Sequence, residues 1–329
     1  MKILAAGVRQ EEIAFFEKWA AFYHDEVEYL TEFITTENVG LAKGFDAVCI
    51  VVSCKITAEL AESLQREGVK YILTRAAGTD HLAIQAIHAA GLYAANVPRY
   101  SPSAVSEFTV LLTLAVLRHL KEQINRSQVH NFSIAGLQGK ELRNMTVGIV
   151  GTGRIGCTTI QNLSGFGCRI LAFDSIQKEE VKRYGEYVSF HCLLKESDIL
   201  IFHCPLTDDN YHMISEETIG QCKEGIILIN CARGGLFDCE AVLDGLKSGR
   251  IGALAMDVYE KEHLYLRQDK SEQTLSDPVI EELIRQKNVI YTAHTAFYTE
   301  EAVSNMIETS FSNLREYKEK GSCSNEVIA

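Results

Sequence analysis

The stretch Val147-Gly148-Ile149-Val150-Gly151-Thr152-Gly153-Arg154-Ile155-Gly156 constrains this chain more than any other, because it joins an apolar run, a glycine-rich turn and a helix start. Gly151 permits the tight turn, Gly153 lets backbone approach a pyrophosphate, and Gly156 lets the helix pack close to the strand. The helix N-terminus attracts phosphate charge. A second apolar run, Arg169–Phe173, ends at Asp174, eighteen residues after Gly156. An acid there accepts hydrogen bonds from the adenosine ribose hydroxyls and repels a 2′-phosphate. Glycine clusters alone also occur in plain turns. Strand, helix and acid at this spacing predict a dinucleotide site that takes NAD rather than NADP.

The fingerprint lies near the middle of a 329-residue chain, so the residues before it need a fold of their own. They read as alternating strands and helices: Lys2–Ala6, a helix around Glu11–Tyr23, Ala47–Val52, a helix across Ala58–Glu67, and Lys70–Thr74. That alternation implies a small parallel α/β unit. Tyr100-Ser101-Pro102-Ser103 then opens a helical stretch from about Ala104 to Asn125, with Pro102 suited to a first turn and Ser101 to an N-cap. From Asn144 strands recur at Thr146–Val150, Arg169–Phe173, Ile199–His203, Gly225–Asn230, Gly252–Met256 and Val289–Thr292, the six of a full dinucleotide-binding sheet. A last helix, Glu300 to about Lys318, is expected to cross back to the first domain. The expected division is residues 1–101 with 299–329 for one domain and 102–298 for the nucleotide-binding one.

Composition mostly excludes. A net charge of −12 without a run of Lys or Arg speaks against a nucleic-acid partner and reads as ordinary solubility. Met1–Gly7 is too short for a signal peptide's apolar core and no stretch reaches transmembrane length, so no membrane association is expected. The ten cysteines are scattered without a CxxC pair, mostly inside apolar runs where a thiol behaves as a small hydrophobe. A reduced, cytoplasmic protein is expected. With no HxxxH or HExxH spacing, no metal is expected either.

Ligands of open parallel sheets bind outside the carboxyl ends of the strands. Few polar residues stand just beyond those ends: Cys231-Ala232-Arg233-Gly234-Gly235 after one strand, Asp257 with Glu260 and Glu262 after the next, and Ala293-His294-Thr295 after the last. Three distant segments thus deliver Arg233, Glu262 and His294 to one sheet edge, where a nicotinamide ring would lie. Hydride transfer to a 2-oxo acid needs a cation for the substrate carboxylate, which Arg provides as a planar, permanently charged fork. It needs a proton donor at neutral pH, for which His is the default. A carboxylate on the other imidazole nitrogen orients the ring. Singly, Arg233 reads as well as a surface ion pair, Glu262 as part of a solvated turn and His294 as a satisfied core histidine; joint placement favours the catalytic reading.

Seven segments in order carry a resemblance. They are Thr74-Arg75-Ala76-Ala77-Gly78-Thr79-Asp80-His81, Asn96-Val97-Pro98-Arg99-Tyr100-Ser101-Pro102, the Gly151 fingerprint, His203-Cys204-Pro205-Leu206-Thr207, Asn230-Cys231-Ala232-Arg233-Gly234-Gly235, Asp257-Val258-Tyr259-Glu260, and His294-Thr295-Ala296-Phe297-Tyr298-Thr299. Over essentially its full length the chain resembles the D-isomer-specific 2-hydroxyacid dehydrogenases, the D-lactate and (R)-2-hydroxyacid branch above all. The resemblance implies two doubly wound parallel-sheet domains, a Rossmann NAD-binding domain inserted into a flavodoxin-like substrate domain. It implies Arg233 as substrate anchor, His294 as acid/base and Glu262 as its partner, with Glu260 the nearby competitor. The amides of Ala77 and Gly78 resemble a carboxylate-binding loop, and Tyr100 and Tyr298 belong with the substrate. Gly151, Gly153, Arg154, Ile155, Gly156, Asp174, Cys204, Pro205, Asn210, Cys231, Ala232, Arg233 and Asp257 are implied around the cofactor. The family usually has Pro before the catalytic His; Ala293 stands here, leaving that loop less stiffened.

Val51, Val52 and Ser53, with Phe297 and Tyr298, suggest an apolar substrate side chain, so pyruvate to D-lactate is the first expectation. Arg75 or Arg99 acting as a second cation would instead suit (R)-2-hydroxyglutarate. Larger-chain (R)-2-hydroxyacids, and an NAD-sensing co-regulator on the same scaffold, are the alternatives. The Ala104–Asn125 helix carries Val105, Phe108, Leu112, Ala115 and Val116 on one face, with Leu111, Leu114 and Leu117 extending the apolar surface, so burial on more than one side is expected. Relatives pair through this region, which makes a homodimer the expected state.

Overall fold

Short apolar runs alternating with amphipathic segments build two parallel sheets in the computed structural model, which describes residues 1–266 and 268–328. The chain divides into two compact units, Met1–Ser101 with Tyr298–Ala329, and Pro102–Phe297. The return crossing thus lies one residue before the expected boundary. Tyr298 belongs with the first unit because its hydroxyl donates to Glu11 Oε1 at 2.7 Å and the Arg9 guanidinium lies 4.4 Å from its ring centroid.

The first unit runs β1 (Lys2–Ala6), α1 (Ile13–Tyr23), β2 (Glu26–Leu30), β3 (Ala47–Ile50), α2 (Ala58–Arg66), β4 (Tyr71–Thr74), α3 (Ile84–Ala89) and β5 (Tyr93–Ala95). The strands pair in parallel in the flavodoxin-like order β2-β1-β3-β4-β5. Two of these five strands lie outside the sequence expectation. β2 is an edge strand with charges at alternate places and β5 has three residues, so neither shows the continuous apolar run of a buried strand. Leu4, Ala6, Val48, Ile50 and Ile72 share a core with Leu60, Leu64 and Ile87 of α2 and α3. The C-terminal helix, Glu300–Lys320, returns to this unit and packs on α1, with the Phe16 and Phe311 rings 6.3 Å apart edge to face.

The second unit opens with α4 (Pro102–Leu117) and α5 (Leu120–Gln128), then β6 (Thr146–Val150), α6 (Arg154–Ser164), β7 (Arg169–Phe173), β8 (Glu186–Tyr187), α7 (Phe190–Glu196), β9 (Ile199–Phe202), α8 (Glu216–Gln221), β10 (Ile226–Asn230), α9 (Cys239–Lys247), β11 (Ile251–Met256), α10 (Pro278–Arg285) and β12 (Val289–Tyr291). Its sheet has the order β12-β11-β10-β9-β6-β7-β8, the Rossmann order with a seventh strand, reversing direction of travel between β6 and β9. Strand residues sort by period two. Val147, Ile149, Ile199, Ile201, Ile227 and Ile229 pack with Leu112, Val116 and Ile160 of α4 and α6. Leu200, Phe202, Leu228 and Leu254 pack with Leu193, Leu243 and Leu283 on the other face.

The helix expected over Ala104–Asn125 is two helices, bent by 67° at the break. His119 takes a left-handed backbone (φ 53), and Lys140 N donates to Leu117 O at 3.1 Å, filling the acceptor that a continuing helix would give to residue 121. α4 is buried on more than one side, as expected, through Val105, Thr109, Leu112, Val116 and also Thr113 and Leu117, while Leu111 is 53% exposed. Among the described residues no single helix is long and apolar enough to cross a membrane. All ten cysteines are free thiols, and no group of His, Cys, Asp and Glu among the described residues is arranged to hold a metal.

Candidate active site

The glycine turn after β6 has the shape its sequence requires. Gly151 sits at φ 92, and a Cβ there would come within 2.6 Å of Cys204 N. A Cβ on Gly156 would lie 2.0 Å from Gly151 O, whereas Gly153 faces open space. Arg154 and Ile155 form the first turn of α6, so the space before Gly153 is ringed by helix N–H groups and suits a pyrophosphate. Asp174 ends β7; its Oδ2 accepts from Thr152 N at 2.6 Å and its Oδ1 from Ile176 N at 3.0 Å. Partial burial pushes this carboxyl up, but those hydrogen bonds outweigh it and hold it below the usual carboxylate value. A charged acid fits ribose hydroxyl donors and repels a 2′-phosphate, so the residues present suit NAD.

The opposite wall comes from the ends of β9 and β10. Cys204 and Pro205 follow β9, and Cys231 and Ala232 follow β10. Burial pushes the Cys204 thiol up to about 11 and the Cys231 thiol up to about 12, so both are neutral apolar lining rather than nucleophiles. Asn210 braces its own loop, accepting from Thr207 N and donating to Pro205 O, each at 2.8 Å. His203 lies beneath the turn, half-buried, with Nε2 2.9 Å from Thr159 Oγ1, and desolvation lowers its pKa to about 3, so it stays neutral.

At the same sheet edge, His294 Nδ1 lies 2.8 Å from Glu262 Oε1. An ionised carboxylate only accepts, so Nδ1 carries the proton and Nε2 is the outward nitrogen. Glu262 Oε2 also accepts from Tyr259 N at 3.1 Å, which fixes the carboxylate plane. The alternative partner, Glu260, is engaged elsewhere, with Tyr211 and His212. His294 has a left-handed backbone (φ 55), an uncommon conformation outside glycine. The buried Asp257 holds it there: its carboxylate accepts from Thr292 Oγ1 at 2.6 Å, Thr295 N at 2.9 Å and Ala296 N at 2.9 Å, and its carbonyl from His294 N at 2.7 Å. These bonds stiffen the loop at Ala293, and they place the Asp257 carboxylate under the His294 loop. Arg233 follows β10 in extended conformation, with Asn230 Nδ2 donating to its carbonyl at 2.9 Å and its own Nη1 donating to Ala232 O at 2.8 Å.

In the first unit, Ala77 and Gly78 lie in the loop after β4, where Asn96 Nδ2 grips the Ala77 carbonyl at 2.7 Å. Asn305 Nδ2 donates to Tyr100 O at 2.7 Å. Arg75 is buried and structural: it reaches Glu12 Oε2 at 3.0 Å and Ala6 O at 2.9 Å, over the Phe16 ring. It therefore offers no second cation to a substrate. Sequence reasoning did not find the Tyr211–His212–Glu260 cluster, because nothing in local spacing tells that residues 48 or 49 apart will meet.

The description "D-isomer specific 2-hydroxyacid dehydrogenase, NAD binding domain" belongs to the family model that matches residues 110–296. An aromatic 2-oxoacid reductase of Clostridium sporogenes is 42% identical over 329 residues, spanning 100% of this chain and 99% of that protein. A D-lactate dehydrogenase of Lactiplantibacillus plantarum is 38% identical, spanning 99% of each. The structure of a D-2-hydroxyisocaproate dehydrogenase superposes with a TM-score of 0.91 at 37% identity, covering all of both chains.

Proposed function

The chain belongs to the D-isomer specific 2-hydroxyacid dehydrogenase family and is an NAD-dependent oxidoreductase, and on that premise we propose that it reduces an apolar 2-oxo acid to the D-2-hydroxy acid, taking branched or aromatic side chains ahead of the methyl of pyruvate. The observation that carries the catalytic part is the 2.8 Å His294–Glu262 bond on the sheet edge that also bears Arg233. Bound NADH supplies the hydride. Arg233 holds the substrate carboxylate and polarises the carbonyl; His294 Nε2 gives its proton to the carbonyl oxygen. Glu262 holds the Nδ1 proton, so the donor is the imidazolium, which gives up its Nε2 proton and is left neutral with Nδ1–H still on Glu262. The carboxylate stabilises the ring's positive charge before the proton leaves.

The side-chain reading is supported by Val51 and Val52 at the end of β3, and by Arg75 being occupied with Glu12. The relatives named for aromatic 2-oxo acids and 2-hydroxyisocaproate point the same way. The test is NADH oxidation with pyruvate, 2-oxoisocaproate, phenylpyruvate and 2-oxoglutarate, repeated with NADPH, and with product chirality assigned. Each added methylene that fills an apolar site is worth about tenfold or more, so 2-oxoisocaproate or phenylpyruvate is expected to exceed pyruvate in kcat/KM by at least about tenfold. NADPH and 2-oxoglutarate are expected to be poor. A preference for pyruvate overturns the side-chain part, and L product overturns the stereochemistry.

We also assign a homodimer in a reducing, cytoplasmic setting, which the ten free thiols suit. Its support is the run after α5, where Val129, Phe132 and Ile134 are 74%, 78% and 85% exposed. Apolar side chains so close together are poorly accommodated facing water and suit a second copy of the chain. Light scattering at micromolar concentration is expected to give twice the chain mass; a monomer mass overturns the assignment.

A further inference from the structure

Glu260 has a task that the proton-transfer pair leaves untouched. Its Oε1 accepts from the Tyr211 hydroxyl and lies 3.2 Å from His212 Nε2, while the Tyr211 and His212 rings stack with centroids 3.9 Å apart. Tyr211 and His212 end the loop that begins with Cys204 and Pro205. His212 is left-handed (φ 52) and donates its backbone N–H to Gly235 O at 2.8 Å, so the loop is strapped to the segment that bears Arg233. That segment in turn lies against the one carrying Glu262. A Cβ on Gly234 would stand 2.2 Å from Glu260 N and from the Tyr259 carbonyl carbon, so the two backbones touch. Three segments therefore meet at Glu260: the cofactor wall, the Arg233 loop and the support of His294.

We propose that Glu260 is a positioning residue, a clamp that fixes the Cys204–Asn210 loop against the Arg233 and Glu262 segments and so holds the nicotinamide-side wall in register with the proton donor. The proposal rests on the proposed dehydrogenase chemistry for what the register serves. The clamp acts through hydrogen bonds from two donors, and it requires an acceptor oxygen at position 260 rather than a full charge. Its loss loosens the wall on the cofactor without removing any group that contacts the reacting atoms.

The test compares Glu260→Ala, Glu260→Gln and Tyr211→Phe by NADH fluorescence titration, steady-state kinetics and thermal melting. Losing hydrogen bonds to an ionised partner is expected to raise the NADH dissociation constant of Glu260→Ala about tenfold, with KM for NADH rising in parallel. Glu260→Gln, which keeps an acceptor for both donors, is expected to stay within about threefold of the parent, and Tyr211→Phe to fall between them. Unchanged NADH binding in Glu260→Ala overturns the clamp. So does a Gln variant as weak as the Ala variant, since that assigns the effect to charge alone. Should Glu260→Ala fail to fold, Tyr211→Phe carries the test, and unaltered NADH binding there overturns the proposal. NADH binding is read without turnover, so failure of the clamp is distinguishable from failure of the His294 assignment, which shows in turnover alone.

Discussion

His294→Gln is expected to lower kcat by about 10²–10⁴-fold, the range contributed by a positioned general acid, while NADH binding stays within about twofold. Glutamine approximates the length of the imidazole and still donates a hydrogen bond to Glu262, so the loop keeps its anchor. It has no proton to give to the carbonyl oxygen. The backbone there is fixed independently, because Asp257 holds Thr292, Thr295 and Ala296 whatever the side chain at 294 does. The check is single-turnover NADH oxidation beside a fluorescence titration of NADH. Full turnover in the variant removes His294 from the chemistry. Lost turnover together with lost NADH binding shows instead that the loop has collapsed.

Much of the candidate site was legible because its residues answer local or topological rules. Gly156 is required by a backbone contact within the same strand–turn–helix, and Gly151 by the left-handed turn itself, although the backbone a Cβ there would strike is that of His203 and Cys204 after the neighbouring strand. Arg233, Glu262 and His294 stand just beyond the carboxyl ends of parallel strands, where ligands of such sheets bind, so a list of strands suffices to reach them. The features that escaped the sequence depend on contacts between distant segments. Glu260 and Glu262 stand two residues apart after β11, and only the fold shows which meets His294 and which meets Tyr211 and His212. The left-handed backbone of His294 results from Asp257 lying beneath it, not from its neighbours in sequence. The same holds for the fold: the break at His119 is set by Lys140 taking the Leu117 carbonyl, and β2 and β5 are strands because β1 and β4 offer them an edge.

Arg233→Gln is expected to lower kcat/KM for the 2-oxo acid by about 10²-fold or more, since two charge-assisted hydrogen bonds to a carboxylate together contribute about 3–5 kcal/mol. The loss should appear in KM for the 2-oxo acid as well as in kcat, because the guanidinium both binds the carboxylate and polarises the carbonyl that receives the hydride. The loop itself should survive. Asn230 holds it from both sides, its amide nitrogen on the Arg233 carbonyl and its oxygen accepting from Ala232 N, and neither bond involves the replaced side chain. Arg233→Lys separates the two contributions: it restores charge without the planar fork, so it should recover part of the binding and little of the rate. Steady-state kinetics of both variants, with NADH binding measured alongside, decides the matter. Unaltered kcat/KM in Arg233→Gln would move the carboxylate anchor to the Ala77–Gly78 loop, and Arg233 would then be a neighbour of the reaction and not a participant in it.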